Sequence, residues 1–356
     1  MNLGQDKIVA EIISRLEATR DVKGVVKVEG TWGSFARLLA AYVSEKLERP
    51  ILYICPHIDD ADKAADDLHA FGAERVEALG AWEGEEYLAD ATDEIRAQRL
   101  KLVSRISHLS SRLDKFIIPA SIQAICQPIP KPQALEESSL RLQVERTMSP
   151  EQMVEWLVEN GFERVERIDL PGQFARRGGI VDIYAPLAID KVLSDKEQTS
   201  TSSEDAQAIR IEFFGDTIES IREVNLDTHL STEQIESINI ISAVCGAAQK
   251  ERELFINILP QDCIIILEEP TDCEEVAKLF LERADDTSRL YSWADIYEAI
   301  AKFTQLYICR FATSEPGDFL KVDIKSVQRF QHKATSLWAG HKEALEELVT
   351  EAKNGK

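Results

Sequence analysis

Residues Gly30 to Arg37, reading Gly-Thr-Trp-Gly-Ser-Phe-Ala-Arg, keep the frame of a phosphate-binding loop but not the side chains that let one work. In a working loop of this spacing, backbone N–H groups cradle the phosphates, a lysine reaches their far end, and a Ser or Thr hydroxyl holds Mg²⁺. Here Gly30, Gly33 and Ser34 remain, while Phe35 replaces the last glycine, Ala36 the lysine and Arg37 the metal-binding hydroxyl. Neither the point charge nor the metal ligand of phosphoryl transfer is left. The segment is therefore predicted to be a degenerate nucleotide loop, with no catalytic residue and no cofactor. Trp32 is expected to plug the space a phosphate would fill. Glu268 and Glu269 follow the apolar run Cys263 to Leu267, where such folds keep a magnesium-holding acid. With the lysine gone, they are expected to be a relic or a helix cap.

The elements around the loop are legible from periodicity. Val25, Val26 and Val28 predict a buried strand, Ala36 to Tyr42 begins a helix, and Ile51 to Cys55 is a second strand. Helices are predicted over His57 to Phe71 and Asp93 to Ile106, and a strand over Phe116 to Pro119. Such alternation implies a parallel sheet with helices on both faces. Asp59, Asp60, Asp62, Asp66 and Asp67 crowd one helix and read as a solvated face rather than a metal cluster. Near residue 124 the pattern changes, and Gln127 to Pro132 carries three prolines. Ser149-Pro150-Glu151 opens a helix that runs from Met148 to Asn160 and closes at Gly161. Strands are predicted over Glu166 to Asp169 and Ile180 to Tyr184, and a mobile loop over Lys191 to Gln207. Ile209 to Phe214 and Thr217 to Val224 form a hairpin about Gly215-Asp216. An amphipathic helix with Leu345, Leu348, Val349 and Ala352 closes the chain.

At 356 residues the chain exceeds one hydrophobic core. No apolar run approaches the roughly 20 residues of a membrane span, and no leader opens the sequence, so a cytoplasmic location is expected. Six cysteines without paired spacing read as buried thiols in a reducing compartment. Acidic residues outnumber basic ones by 63 to 41, a net charge of −22. That field repels nucleic acid, so weak or no DNA binding by this chain alone is expected. The six histidines show no ligand spacing and carry no assigned chemistry.

Three ordered stretches carry a resemblance: Gly161 to Val165, Pro171 to Tyr184 (Pro-Gly-Gln-Phe-Ala-Arg-Arg-Gly-Gly-Ile-Val-Asp-Ile-Tyr) and Arg210 to Arg222. Together they resemble the amino-terminal, UvrB-like region of the bacterial transcription-repair coupling factors, over about residues 8 to 335. The resemblance implies an α/β fold: a degenerate P-loop NTPase-like parallel sheet unit with an inserted smaller α/β domain. It divides the chain into domain 1A (1–123), domain 2 (124–206), domain 1B (207–335) and a helix (336–356) resembling the start of a further domain. It implies a non-catalytic module of transcription-coupled nucleotide excision repair that recruits UvrA, with Arg164, Phe174, Arg176, Arg177 and Tyr184 as docking residues. RNA polymerase binding and the motor belong to family domains that this sequence does not carry. The long aromatic hairpin with which UvrB clamps damaged DNA is matched here by Trp82 to Asp93, short and acidic. Two other readings stay open: a P-loop ATPase or helicase subunit, and a truncated product without an independent role.

Overall fold

The computed structural model describes residues 3–82, 94–108, 115–137, 139–186, 188–193, 207–241, 252–311, 318–322, 324 and 349. The chain opens with α1 (Lys7–Ala18), where the Asp6 carboxylate accepts from the N–H groups of Ile8 and Val9 at 2.8 and 3.0 Å. That cap satisfies two of the donors a helix start leaves unpaired. Then come β1 (Val25–Glu29), α2 (Phe35–Leu47), β2 (Ile51–Cys55), α3 (Ile58–Ala70), β3 (Arg75–Val76), α4 (Glu94–His108), β4 (Phe116–Ser121), α5 (Ile122–Cys126), β5 (Ile129–Pro130) and α6 (Pro132–Glu137). The predicted strand–helix alternation is present.

A second unit follows: β6 (Ser139–Gln143), α7 (Pro150–Glu159), β7 (Glu163–Arg164), β8 (Gln173–Arg177), β9 (Ile180–Ala185), β10 (Ala188–Leu193), β11 (Gln207–Phe214), β12 (Thr217–Val224) and β13 (Ser231–Ile241). The chain then returns to the first unit through β14 (Arg252–Glu253), β15 (Ile264–Glu268), α8 (Pro270–Arg283), α9 (Trp293–Ile300), β16 (Thr304–Cys309) and β17 (Phe319–Lys321). β5 and β14 pair antiparallel, so the outgoing and returning chains run side by side.

The first sheet has the order β17-β1-β16-β15-β2-β4-β3, and every pairing in it is parallel. Its two faces are built by period-2 alternation. On β2, Leu52 and Ile54 join a core with α5, α8 and α9, while Ile51, Tyr53 and Cys55 join the core under α1, α2 and α3. Arg99, on α4, is almost fully buried and donates to the carbonyls of Gly80 (2.6 Å), Ala124 (3.2 Å), Gln127 (3.1 Å) and Pro128 (3.2 Å). Four acceptors around one guanidinium fasten α4 to the end of α5, because a buried charge must be hydrogen-bonded.

The second sheet runs β10-β13-β12-β11-β9-β8-β7, with β6 also on β13. Its pairings are antiparallel except β7 with β8. Helix α7 covers one face. Ser149 caps it with Pro150 in the first turn, as predicted, and Gln152 completes a capping box. Met153 and Leu157 of α7 pack on Phe174, Val181, Ile183, Ile209, Ile211, Ile221 and Ile235. The unit is thus a mixed sheet with one covering helix, not a strand–helix alternation.

Three expectations need correction. The hairpin over 207–224 pairs with β9 and β13 and belongs to the second unit, which spans residues 139–241 rather than 124–206. Periodicity identified those strands but carries no information on which edge they join. Glu166 to Asp169 form no strand. They lie in a loop whose Ile168 is buried on a small cluster with Ala175, Ala208 and Val224. Lys191 to Leu193, expected in a loop, extend β10 against β13. Nearly all of the expected closing helix, and residues 83–93 of the acidic segment, lie outside the described residues.

Because the second unit owns its core, a fragment of residues 139–241 is expected to melt cooperatively, read by near-ultraviolet circular dichroism. A fragment of residues 124–206, which lacks β11, β12 and β13, is expected to show no such transition. The reverse outcome would restore the boundary expected from the sequence.

Candidate functional site

The degenerate loop leaves the carboxyl end of β1 and enters α2. Gly30 has φ +84°, and a Cβ there would lie 2.3 Å from the carbonyl oxygen of Val322. Its lack of a side chain is therefore required by the backbone that follows β17. Gly33 has φ +59° with open space around it, so only its conformation favours glycine. Ser34 stands at the N-cap of α2 but makes no side-chain cap bond. Phe35 is half-buried against the core, and Ala36 is buried in it. A lysine at position 36 would have to displace core packing before it could reach a phosphate. Trp32 is not a core plug. It is half-buried, with its ring edge-on to Phe311 at 5.1 Å and 85°.

Arg37 turns inward. Its Nη2 lies 3.3 Å from Glu268 Oε2 and its Nη1 3.4 Å from Asp67 Oδ2; the Arg37 and Glu268 side chains are only 12% and 8% exposed. The Tyr53 hydroxyl donates to the same Glu268 oxygen at 2.9 Å. Burial alone would pull the Arg37 pKa down, but the facing Glu268 and its neighbours outweigh it and the net shift is upward. Burial and the Glu268 charge both push the Tyr53 hydroxyl well up, so it remains a donor. The arginine of the loop is thus paired with the acid at the end of β15, which is its counter-ion. Glu269 stands at the N-cap of α8 in the left-handed region, but its side chain makes no cap bond; its carboxylate accepts from the backbone N–H of Arg310 at 2.7 Å. No group of three or more His, Cys, Asp or Glu among the described residues could hold a metal.

The five residues expected at a docking surface are divided by the sheet. Phe174 is 0% exposed at the centre of the second core, and the expectation that it contacts a partner is corrected. Arg176 shares the helix-covered face with Phe174 and forms an ion pair with Glu151 of α7. Arg164 is exposed at the β7 edge, in register with Phe174. Arg177 and Tyr184 lie on the opposite face, which no helix among the described residues covers. Arg177 is exposed and donates to the Glu166 carbonyl at 3.0 Å, while half-buried Tyr184 packs on the Ile168 cluster.

The same open face carries residues missed from sequence. Register places Ile180, Asp182, Arg210 and Glu212 there, and alternation along β11 adds Phe214. Arg210 forks onto Asp182 at 2.7 and 2.9 Å, which raises its pKa further. Phe214, at the tip of the β11–β12 hairpin, is 80% exposed, and Ile180 beside it is 38% exposed. Apolar tips flanked by arginine form the composition of an interface centre. The signal was in the sequence: Phe213 and Phe214 are adjacent, so alternation can bury only one of them.

Exchange of Arg37 for Met would leave the Glu268 carboxylate buried without its cation. Arg37→Met is expected to cost about 3–5 kcal/mol in urea unfolding, because a buried charge loses its partner. Most of that cost is expected to be recovered in Arg37→Met with Glu268→Gln. A loss under about 1 kcal/mol in the single variant would fit a solvated surface pair instead.

Residues 140–194 and 199–244 match the family described as the UvrB interaction domain, and so cover the second unit almost from end to end. The transcription-repair-coupling factor of Bacillus subtilis (strain 168) is 32% identical over 217 residues, 59% of this chain and 16% of that protein. The Escherichia coli (strain K12) factor is 22% identical over 213 residues, covering 59% and 17%. The UvrABC system protein B of Thermotoga neapolitana is 26% identical over 238 residues, covering 63% and 32%. The match thus spans about a sixth of the length of the two coupling factors and about a third of the UvrB protein. No helix among the described residues is long and apolar enough to cross a membrane. The chain carries a UvrB interaction domain and is homologous, over the matched part of its length, to the transcription-repair-coupling factors.

Proposed function

We propose that this chain is a non-catalytic docking module of transcription-coupled repair, in which the open face of the second sheet recruits UvrA. The observation that carries the reading is the placement of Arg177, Arg210, Ile180 and Phe214 on one face of the UvrB interaction domain that no helix among the described residues covers. Arginine pairs with carboxylates in a planar, two-pronged geometry, and an exposed aromatic supplies the area that an interface buries. Arg177→Glu is expected to weaken UvrA binding by about 2–5 kcal/mol in calorimetry, the range for a desolvated charge contact. Phe214→Ala is expected to weaken it as well, and neither change should move the thermal melt. Phe174→Ala is the contrasting case: it should destabilise the fold by about 3–5 kcal/mol through an unfilled core. Unchanged UvrA affinity in the Arg177/Phe214 double variant would overturn the assignment.

The first unit serves in this reading as a scaffold that turns over no nucleotide. Support comes from Ala36 in the core and from Arg37 engaged by Glu268 and Asp67. Purified protein, with and without DNA, is expected to release no phosphate from ATP. Turnover approaching about 1 s⁻¹, the low end of ordinary enzyme rates, would favour the alternative of an ATPase subunit. Duplex DNA is expected to bind no tighter than about 10⁻⁴–10⁻⁶ M, the non-specific range, given the charge of −22.

A further inference from the structure

The carboxyl ends of adjacent strands β1, β16, β15 and β2 emerge on one edge of the first sheet. In a working phosphate-binding fold that edge receives an anion. Here acids stand at that edge, and its lysine, Lys321 at the end of β17, is held by Glu29 at 2.9 Å. Asp272, in the first turn of α8, and Asp59, in the first turn of α3, are both exposed there. The two nearby arginines are held by acids: Arg37 by Glu268 and Asp67, and Arg310 by Glu269, whose carboxylate lies 3.3 Å from Nε. Burial pushes the Cys309 thiol at the end of β16 up to about 11, and Glu269, Glu29 and Asp272 add to the shift. At the same edge Trp32 meets Phe311 in a T-shaped pair, and Phe311 is 66% exposed. An aromatic pair beside carboxylates suits one chemical group above others: a guanidinium stacks on the ring face and forks its N–H groups onto acids.

We propose that this edge is a second docking surface, on which the Trp32–Phe311 pair and the acids beside it receive an arginine-bearing segment of a protein partner. The choice of occupant rests on charge complementarity. A nucleotide would bring phosphates to an edge already lined with acids, whereas a cationic segment is drawn to it. The surface lies on the first sheet and shares no residue with the face that carries Arg177 and Phe214.

The test uses the full chain with its five tryptophans replaced by 5-fluorotryptophan and read by fluorine NMR. The Trp32 signal is assigned by its loss in Trp32→Phe. Titration with acetyl-Gly-Arg-Gly-Arg-Gly-amide is expected to shift that signal saturably, with the lysine analogue binding at least about threefold more weakly, since arginine stacks better. Phe311→Ala and Asp272→Asn should each weaken the arginine peptide by about threefold or more without moving the thermal melt. UvrA affinity should be untouched by Phe311→Ala. An unmoved Trp32 signal, equal response to both peptides, or full affinity in Phe311→Ala would overturn the proposal. A saturable shift of the same signal by ATP would also overturn it, by naming an anion as the occupant.

Discussion

The first unit is organised around one buried ion pair. The loop after β1 and the acid at the end of β15 are far apart in the chain, and the Arg37 guanidinium holds them together, with Tyr53 completing the hydrogen bonding of Glu268. A covalently tethered cation is always present, whatever else the site meets. Buried pairs add little net stability over an apolar replacement, yet they penalise any arrangement that separates the partners. The loop's geometry is thereby fixed without a ligand.

The two units divide the physics between them. The parallel sheet is buried on both faces, and its strands read as continuous apolar runs, Ile51 to Cys55 and Ile264 to Leu267. Among the described residues the second sheet has a helix on one face only, and its strands alternate instead. What the first unit spends on burial, the second leaves available for contact. Arg210 paired with Asp182 keeps that face polar enough for water while holding a guanidinium in a fixed orientation. Pre-set geometry of this kind lowers the entropy lost on association.

The sequence disclosed the elements better than their partners. Ser149-Pro150 announced α7 because capping is local. Arg37's role was not legible, since its partners Asp67 and Glu268 lie 30 and 231 residues away. Adjacent Arg176 and Arg177 looked like one patch, but a strand sends neighbouring side chains to opposite faces, and only Arg177 reaches the open one. Phe174 failed as a contact for the same reason: it alternates into the core. Cysteine burial, by contrast, followed from composition alone, and all five described thiols are buried and free.

The strand order carries a consequence for how the chain must assemble. β15 and β16 lie between β1 and β2, yet they follow the whole second unit in sequence. During synthesis from the amino terminus, β1 and β2 therefore emerge without the strands that will separate them, and their inner edges stay unpaired for some 200 residues. The second unit is complete at Ile241, before either central strand exists. Long-range parallel pairing is slow, and waiting edges attract other chains. An early-folding second unit, returning its chain at β14 beside β5, delivers the last strands close to where they must insert. The second unit thus lies, in chain order, between the outer strands of the first sheet and the two strands that close it.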